Sequence, residues 1–256
     1  MIPFIPNEGK NLTIQTEDYG VYARYPVKTH VIMKEDKLPE VLDRYVREYL
    51  EEGDMIFISE KIVAITQGRA FPIKDIKPSR LAKFLVRFVY KSPYGIGLGS
   101  PWTMQLAIDE IGAPRILFAA VISAITKLFG VRGVFYRILG NKARAIDGPC
   151  EYTLPPYNEY AKLAPDRPDE VAAERKEHTG CEVVVIDAND IGVEVLGKSS
   201  DAVAVKMCKQ IFGDNPLDQT DQQTPIAIVR KVTEPEQRPE ELPEISEEKL
   251  EEPGEV

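Results

Sequence analysis

The run Cys181-Glu-Val-Val-Val-Ile-Asp-Ala-Asn-Asp190 closes an apolar, β-branched stretch with two carboxylates and an amide between them. Such a run predicts a buried strand with a polar cluster at its mouth. A second end of this kind lies forty residues earlier, where Ala143-Arg-Ala-Ile-Asp147 meets Gly148-Pro149. If the two strands are neighbours, Asp147 and Asp187 converge, and two oxygen-only side chains suit a hard cation such as Mg²⁺ or Mn²⁺ that also holds phosphates. The plainer alternative is that each aspartate stabilises its own turn.

A phosphate site is also suggested by Gly192-Val-Glu-Val-Leu-Gly197-Lys198-Ser199, which formally matches GxxxxGK[ST]. The alternating, β-branched Val-Glu-Val-Leu reads instead as a strand, paired with Val183–Ile186 in a hairpin whose turn, Asp187–Ile191, carries the acidic cluster. What survives of the motif is its end: Lys198 and Ser199 precede a helix expected over 202–212, whose start could meet an anion. His30, at a strand tip behind Lys28-Thr29, is the better placed of the two histidines for ligand contact; His178 belongs to the last turn of a charged helix. For both, an ordinary structural role is the alternative. Cys150, Cys181 and Cys208 form no CxxC pair and no metal spacing with those histidines, and read as free thiols.

These residues are positioned by a chain of mixed elements. Residues 12–33 alternate as two or three strands, and residues 38–50 carry one apolar helical face. Residues 54–59 form a buried strand, and the apolar pattern continues from Lys61 to a glycine turn at Gly68. A helix over 78–89 is capped by Ser79 or started at Pro78. Beyond the Gly/Pro-rich 92–102 loop lies a short helix ending near Gly112, then the almost wholly apolar 116–126. Eleven residues cannot span a bilayer, so with Lys127, Arg132 and Arg137 nearby this segment predicts a core or dimer helix in preference to one lying on a membrane. Asp169 to His178 predicts a surface helix ended by Gly180, and the polar 214–225 loop returns to a strand over 226–232. Trp102, Tyr94, Tyr152 and Tyr157 offer rings for stacking, or for packing on their own domain. Residues 233–256, rich in Glu and Pro, read as a disordered acidic tail after a domain over 1–232, in which 91–139 is a helical elaboration. A net charge of −9 and a pI near 5.0 argue against a nucleic-acid surface. The N-terminus lacks a basic region followed by an apolar core, which with the thiols points to the cytoplasm and away from a membrane.

In order along the chain, Gly53-Asp-Met-Ile-Phe-Ile-Ser-Glu-Lys-Ile-Val-Ala-Ile-Thr-Gln-Gly68-Arg69, Pro78-Ser79, Ala145-Ile-Asp147 and Val184-Val-Ile-Asp187-Ala-Asn189 resemble the coenzyme F420-0:gamma-glutamyl ligase family. The resemblance implies an α+β fold of mixed, largely antiparallel sheets with flanking helices, and a homodimer. It implies amide formation between L-glutamate and a carboxylate acceptor, the deazaflavin precursor in that family, with GTP as co-substrate and Mg²⁺ or Mn²⁺ bound by Asp147 and Asp187. Lys28, Thr29, His30, Glu60, Asn189, Lys198 and Ser199 are the nucleotide-contacting candidates. The chain departs from the pattern at Ile65, where the family carries lysine, and at Cys150 and Ala188. The alternatives are therefore a non-catalytic, dimeric metal- or nucleotide-binding relative and, behind it, a phosphate-loop hydrolase built on Gly192–Ser199.

Overall fold

The structure is a computed structural model, and it describes residues 4–89, 96–151, 153–189, 192–218 and 221–232. The expected tail over 233–256, the hairpin tip at Asp190, and Tyr94 and Tyr152 lie outside the described residues. The chain divides into two compact units, one of residues 1–66 and 167–256, the other of residues 67–166.

The first unit begins with β1 (Thr13–Gln15), β2 (Val21–Val27), α1 (Leu38–Tyr45), β3 (Met55–Ser59) and α2 (Glu60–Thr66). The second contains β4 (Ala70–Pro72), α3 (Arg80–Leu85), α4 (Pro101–Ile111), α5 (Ala113–Leu128), α6 (Val134–Leu139), α7 (Asn141–Arg144) and β5 (Tyr160–Lys162). The chain then returns to the first unit through α8 (Pro168–Thr179), β6 (Glu182–Asn189), β7 (Gly192–Lys198), α9 (Val205–Ile211) and β8 (Ile226–Val232).

In the first unit one sheet runs in the order β1-β2-β8-β3-β6-β7. Every neighbouring pair is antiparallel except β3–β6, which is parallel. The fold is thus α+β, with a mixed and largely antiparallel sheet. The central strands are buried along their whole apolar runs, Ile56, Phe57 and Ile58 on β3 and Val183 to Ile186 on β6, as expected of strands covered on both faces. Phe57 stacks on Phe212, which follows α9, at a centroid distance of 4.4 Å. β6 and β7 form the expected hairpin, but Asp187, Ala188 and Asn189 extend β6 and pair with Glu194, Val193 and Gly192. Asp187 is therefore a strand residue rather than a turn residue. α8 ends at Gly180 in the left-handed conformation (φ 82°) that glycine adopts at low cost, as its sequence position suggests.

Two ion pairs staple this unit. Arg24, fully buried on β2, grips Asp214 with both guanidinium nitrogens and also donates to the carbonyls of Asn11 (2.6 Å) and Ile211 (2.9 Å). Burial raises the Asp214 carboxyl, but Arg24 outweighs it and holds the group below its usual range. Arg230 on β8 makes a bidentate pair with the buried Asp54, both bonds 2.7 Å.

The second unit pairs β4 with β5 and surrounds a core of Leu98, Met104, Leu106, Ile116, Leu139 and Ile146 with α3 to α7. Ser79 caps α3, as expected. Ser100 and Thr103 form a capping box on α4, with Pro101 in its first turn. Gly112 (φ 94°) and Pro114 break the path, so α5 leaves α4 at 115°. Among the described residues no single helix is long and apolar enough to cross a membrane.

Residues 61–66, for which the sequence shows an apolar pattern but no element, belong to a helix, α2, because Ser59 ends β3 and its hydroxyl accepts from the Lys61 amide (3.3 Å), turning the chain. Two expectations are corrected. Residues 141–144 are helical rather than strand; the segment is short and has no β-branched residue, and Asp147 is reduced to an isolated bridge with Lys162. The 116–126 segment is helical, and it enters the core through Ile116 and Ala119 while much of its apolar surface is exposed, so it is not the wholly buried core helix of the first alternative.

The cysteines divide by burial. Cys208 is buried and its thiol is pushed up to about 12, and burial together with the Asp54 charge raises that of Cys181; Cys150 is partly exposed. Ellman titration of native protein is expected to report one thiol and of denatured protein three.

Candidate active site

Strand directions decide which candidate residues meet. β2 and β3 both run toward the start of β8, with Val27 and Ile58 each opposite Ile226. β6 runs parallel to β3, and the last registered pair is Ser59 opposite Ile186. Glu60, the first residue of α2, follows Ser59, and Asp187 follows Ile186 along β6. One edge of the sheet therefore gathers Lys28, Thr29 and His30 after β2, Glu60 after β3, and Asp187 and Asn189 at the end of β6. The carboxyl ends of neighbouring parallel strands are the usual ligand-binding edge of such sheets.

The backbone here is tied down. The Thr29 amide donates to Gln223 O at 2.9 Å and the Ser59 amide to Pro225 O at 2.8 Å, so the polar 214–225 loop returns directly over the edge. Thr29 is buried, and its hydroxyl donates to the His30 carbonyl at 2.8 Å. The His30 ring lies between the Tyr45 hydroxyl (2.8 Å from Nδ1) and Asp36 Oδ2 (3.1 Å from Nε2). With a carboxylate on Nε2, the partners assign the proton to that nitrogen and leave Nδ1 as the acceptor. His30 is thus a positioned strut, and Lys28 beside it is an exposed cation of the edge. Asn189 donates to Asp187 Oδ1 at 3.3 Å and accepts from the Gly192 amide at 3.2 Å, which holds the carboxylate against the hairpin. Gln223, with its backbone in the left-handed region (φ 56°), and Asp36 belong to this edge too. The amide-rich loop was the sequence signal for Gln223; nothing local marked Asp36.

Lys198 and Ser199 do not join them. Lys198 pairs in register with Val184, three residues up β6 from Asp187, and Ser199 donates its amide to Val183 O, toward the opposite edge. Lys198 is spent on structure: its amide donates to Asp169 Oδ1 (2.9 Å) and its ammonium group to Asp201 Oδ1 (2.9 Å). The Ser199 hydroxyl donates to Glu182, which also accepts from Ser200 (2.9 Å) and Lys176 (2.5 Å). Burial raises the Glu182 carboxyl, but these partners outweigh it and hold it low. α9 starts at Val205, later than the sequence suggested, and the intervening residues form a turn. Gly197 serves packing, since its Cα faces the backbone of Pro168 and Asp169.

Asp147 belongs to the other unit. Its backbone exchanges two hydrogen bonds with Lys162, at 3.1 and 2.9 Å, and its Oδ1 accepts from the Gly148 amide at 2.8 Å. The neighbouring-strand arrangement expected for it is replaced by β3 and β7 on either side of β6. Tyr157 packs edge-on against Tyr160 within the same unit (5.1 Å), and Trp102 lies half-buried on α4.

The family model for F420-0:Gamma-glutamyl ligase matches residues 26–228. The chain belongs to the F420-0:gamma-glutamyl ligase family. The matched span includes every residue of the sheet edge just described. A search of curated proteins returns no match. Against the ligase pattern, Ile65 is buried in the face of α2, so that position supplies no cation.

For a divalent ion, the donor chemistry of the edge is Glu60, Asp187 and the Asn189 amide. Among the described residues no group of three or more His, Cys, Asp or Glu forms a cage. One or two carboxylates suffice for Mg²⁺ when phosphates and water complete the shell, so the edge fits an ion held jointly with a phosphorylated ligand.

Proposed function

We propose that this ligase-family chain joins L-glutamate to a carboxylate acceptor, possessing in its sheet edge the site for GTP and Mg²⁺ or Mn²⁺. The observation that carries the reading is the convergence of Lys28, Glu60, Asp187 and Asn189 at the ends of β2, β3 and β6. Asp187 and Glu60 would hold the ion, which when bound neutralises phosphate oxygens. Asp147 is carried as a further metal carboxylate on the family resemblance.

In the reaction the acceptor carboxylate attacks the γ-phosphorus, the bridging P–O bond breaks and the nucleoside diphosphate leaves. The glutamate amine then attacks the acyl carbon and loses a proton, and inorganic phosphate departs. Lys28 offsets charge on the phosphates, while Thr29 and the His30–Asp36–Tyr45 cluster fix the strand that presents it.

Calorimetric titration of GTP and of ATP, with and without Mn²⁺, tests this in the wild type, Asp187→Asn and Asp147→Asn. Metal-dependent binding in the wild type that weakens on the order of a hundredfold in Asp187→Asn is expected. Glutamylated acceptor should then appear by mass spectrometry. Absence of nucleotide binding under every metal condition would give the site to a non-catalytic relative, in line with the buried Ile65.

A further inference from the structure

Residues 76–146 contain eleven lysines and arginines against two carboxylates, a local excess of nine positive charges in a chain of net charge −9. The same segment carries the largest exposed apolar residues of its unit. On α5 and just after it, Leu117, Phe118, Val121, Ile125, Leu128 and Phe129 are exposed, at the one-sided spacing of a helical face. Exposure peaks at the tip, 85% for Leu128 and 80% for Phe129, where Lys127 and Arg132 flank them and are themselves exposed. The pairing recurs on α3 and the turn that follows it, where Lys83, Phe84, Arg87 and Phe88 are all exposed. Contiguous exposed apolar side chains of this number on one helical face mark an interaction surface.

We infer that the helical unit docks on an anionic lipid surface through the Lys127–Arg132 tip and the exposed face of α5. Each observation selects that occupant. α5 has 16 residues, about 24 Å at the helical rise, too short for the hydrocarbon core of about 30 Å, so it lies on the surface rather than crossing. Bulky apolar side chains framed by Lys and Arg are the composition of helices and loops that enter the headgroup region. A second copy on the same face would oppose two surfaces of the same positive sign across an isologous contact. Anionic headgroups meet the charge and the acyl boundary takes the rings. The inference is independent of the catalytic reading, and it departs from the absence of membrane contact that composition suggests.

The test is flotation of the full chain with vesicles of phosphatidylcholine alone and of phosphatidylcholine mixed with phosphatidylglycerol. The chain is expected to float with the mixed vesicles, to stay down with the neutral ones, and to be released by salt. Lys127→Ala/Arg132→Ala is expected to weaken partition roughly thirtyfold, since a basic side chain at an anionic surface contributes about 1 kcal/mol. Leu128→Ser/Phe129→Ser should weaken it at least tenfold with an unchanged melting curve, the side chains being exposed in the free protein. Failure of the wild type to float at low salt overturns the inference, as does equal flotation of Leu128→Ser/Phe129→Ser. A dimer in sedimentation velocity that this variant converts to monomer, with no vesicle binding by the wild type, would assign the face to a second copy and overturn it as well.

Discussion

Gly197→Ala is expected to lower stability by about 3 kcal/mol or more and the melting midpoint by roughly 6–12 °C, at the upper end of what overpacking costs. A methyl group at this position would stand 2.3 Å from the carbonyl carbon of Pro168, 2.4 Å from its oxygen and 2.7 Å from the Asp169 amide. All three are backbone atoms at the start of α8, so no side-chain rotation relieves the clash. The start of α8 must withdraw from β7, which also strips the Lys198 amide of its bond to Asp169. Lys198→Ala should by contrast cost under about 1 kcal/mol, because its ion pair with the fully exposed Asp201 is a surface one. Thermal melts and GTP titration of the two variants separate the readings of this glycine-lysine pair. A phosphate-loop glycine and lysine would lose nucleotide affinity together; here the glycine governs stability and the lysine neither property strongly.

Residues 192–199 illustrate what was legible in the chain. Alternation of β-branched residues outweighed the formal motif, and β7 with its hairpin partner β6 is what alternation describes. The apolar runs that became β3 and β8 and the glycine-ended α8 were legible for the same reason, since burial and capping leave local signatures. Strand order left none. Glu60 and Asp187 follow the last paired residues of β3 and β6, which are parallel neighbours although more than a hundred residues separate them in sequence, and nothing near either residue encodes that pairing. Asp147 shows the converse: a carboxylate before Gly-Pro looks like a strand mouth, whereas the four residues of α7 place it after a helix. Apolarity on every side of 116–126 is equally silent about how much of a helix its own domain covers, and the exposure of Phe118, Leu128 and Phe129 shows that this face is left uncovered by the chain itself.

A comparable loss of stability is expected from Asp54→Ala, about 3 kcal/mol, because it removes the buried carboxylate and leaves the partly buried Arg230 with the exposed Glu51 as its remaining ion-pair partner. Asp54 has no exposed side-chain surface, and besides its two 2.7 Å bonds to Arg230 it accepts from the Glu51 amide at 2.9 Å, closing the turn that starts β3. Arg230 also donates to Tyr49 O at 3.1 Å, so the pair joins β8, β3 and the end of the α1 region. If the cost arises from an Arg230 that has lost its buried partner and keeps only the exposed Glu51, rather than from a large intrinsic value of the pair, Asp54→Leu/Arg230→Met should be closer to wild type than Asp54→Ala is. Urea unfolding of the two variants measures the difference. Glu60 lies at the other end of β3 from Asp54, so Asp54→Ala, studied below its unfolding transition, should keep metal-dependent nucleotide affinity within a few-fold of wild type. A hundredfold loss there would mean that the register of β3 against β6, and with it the juxtaposition of Glu60 and Asp187, depends on this ion pair at the far edge of the sheet.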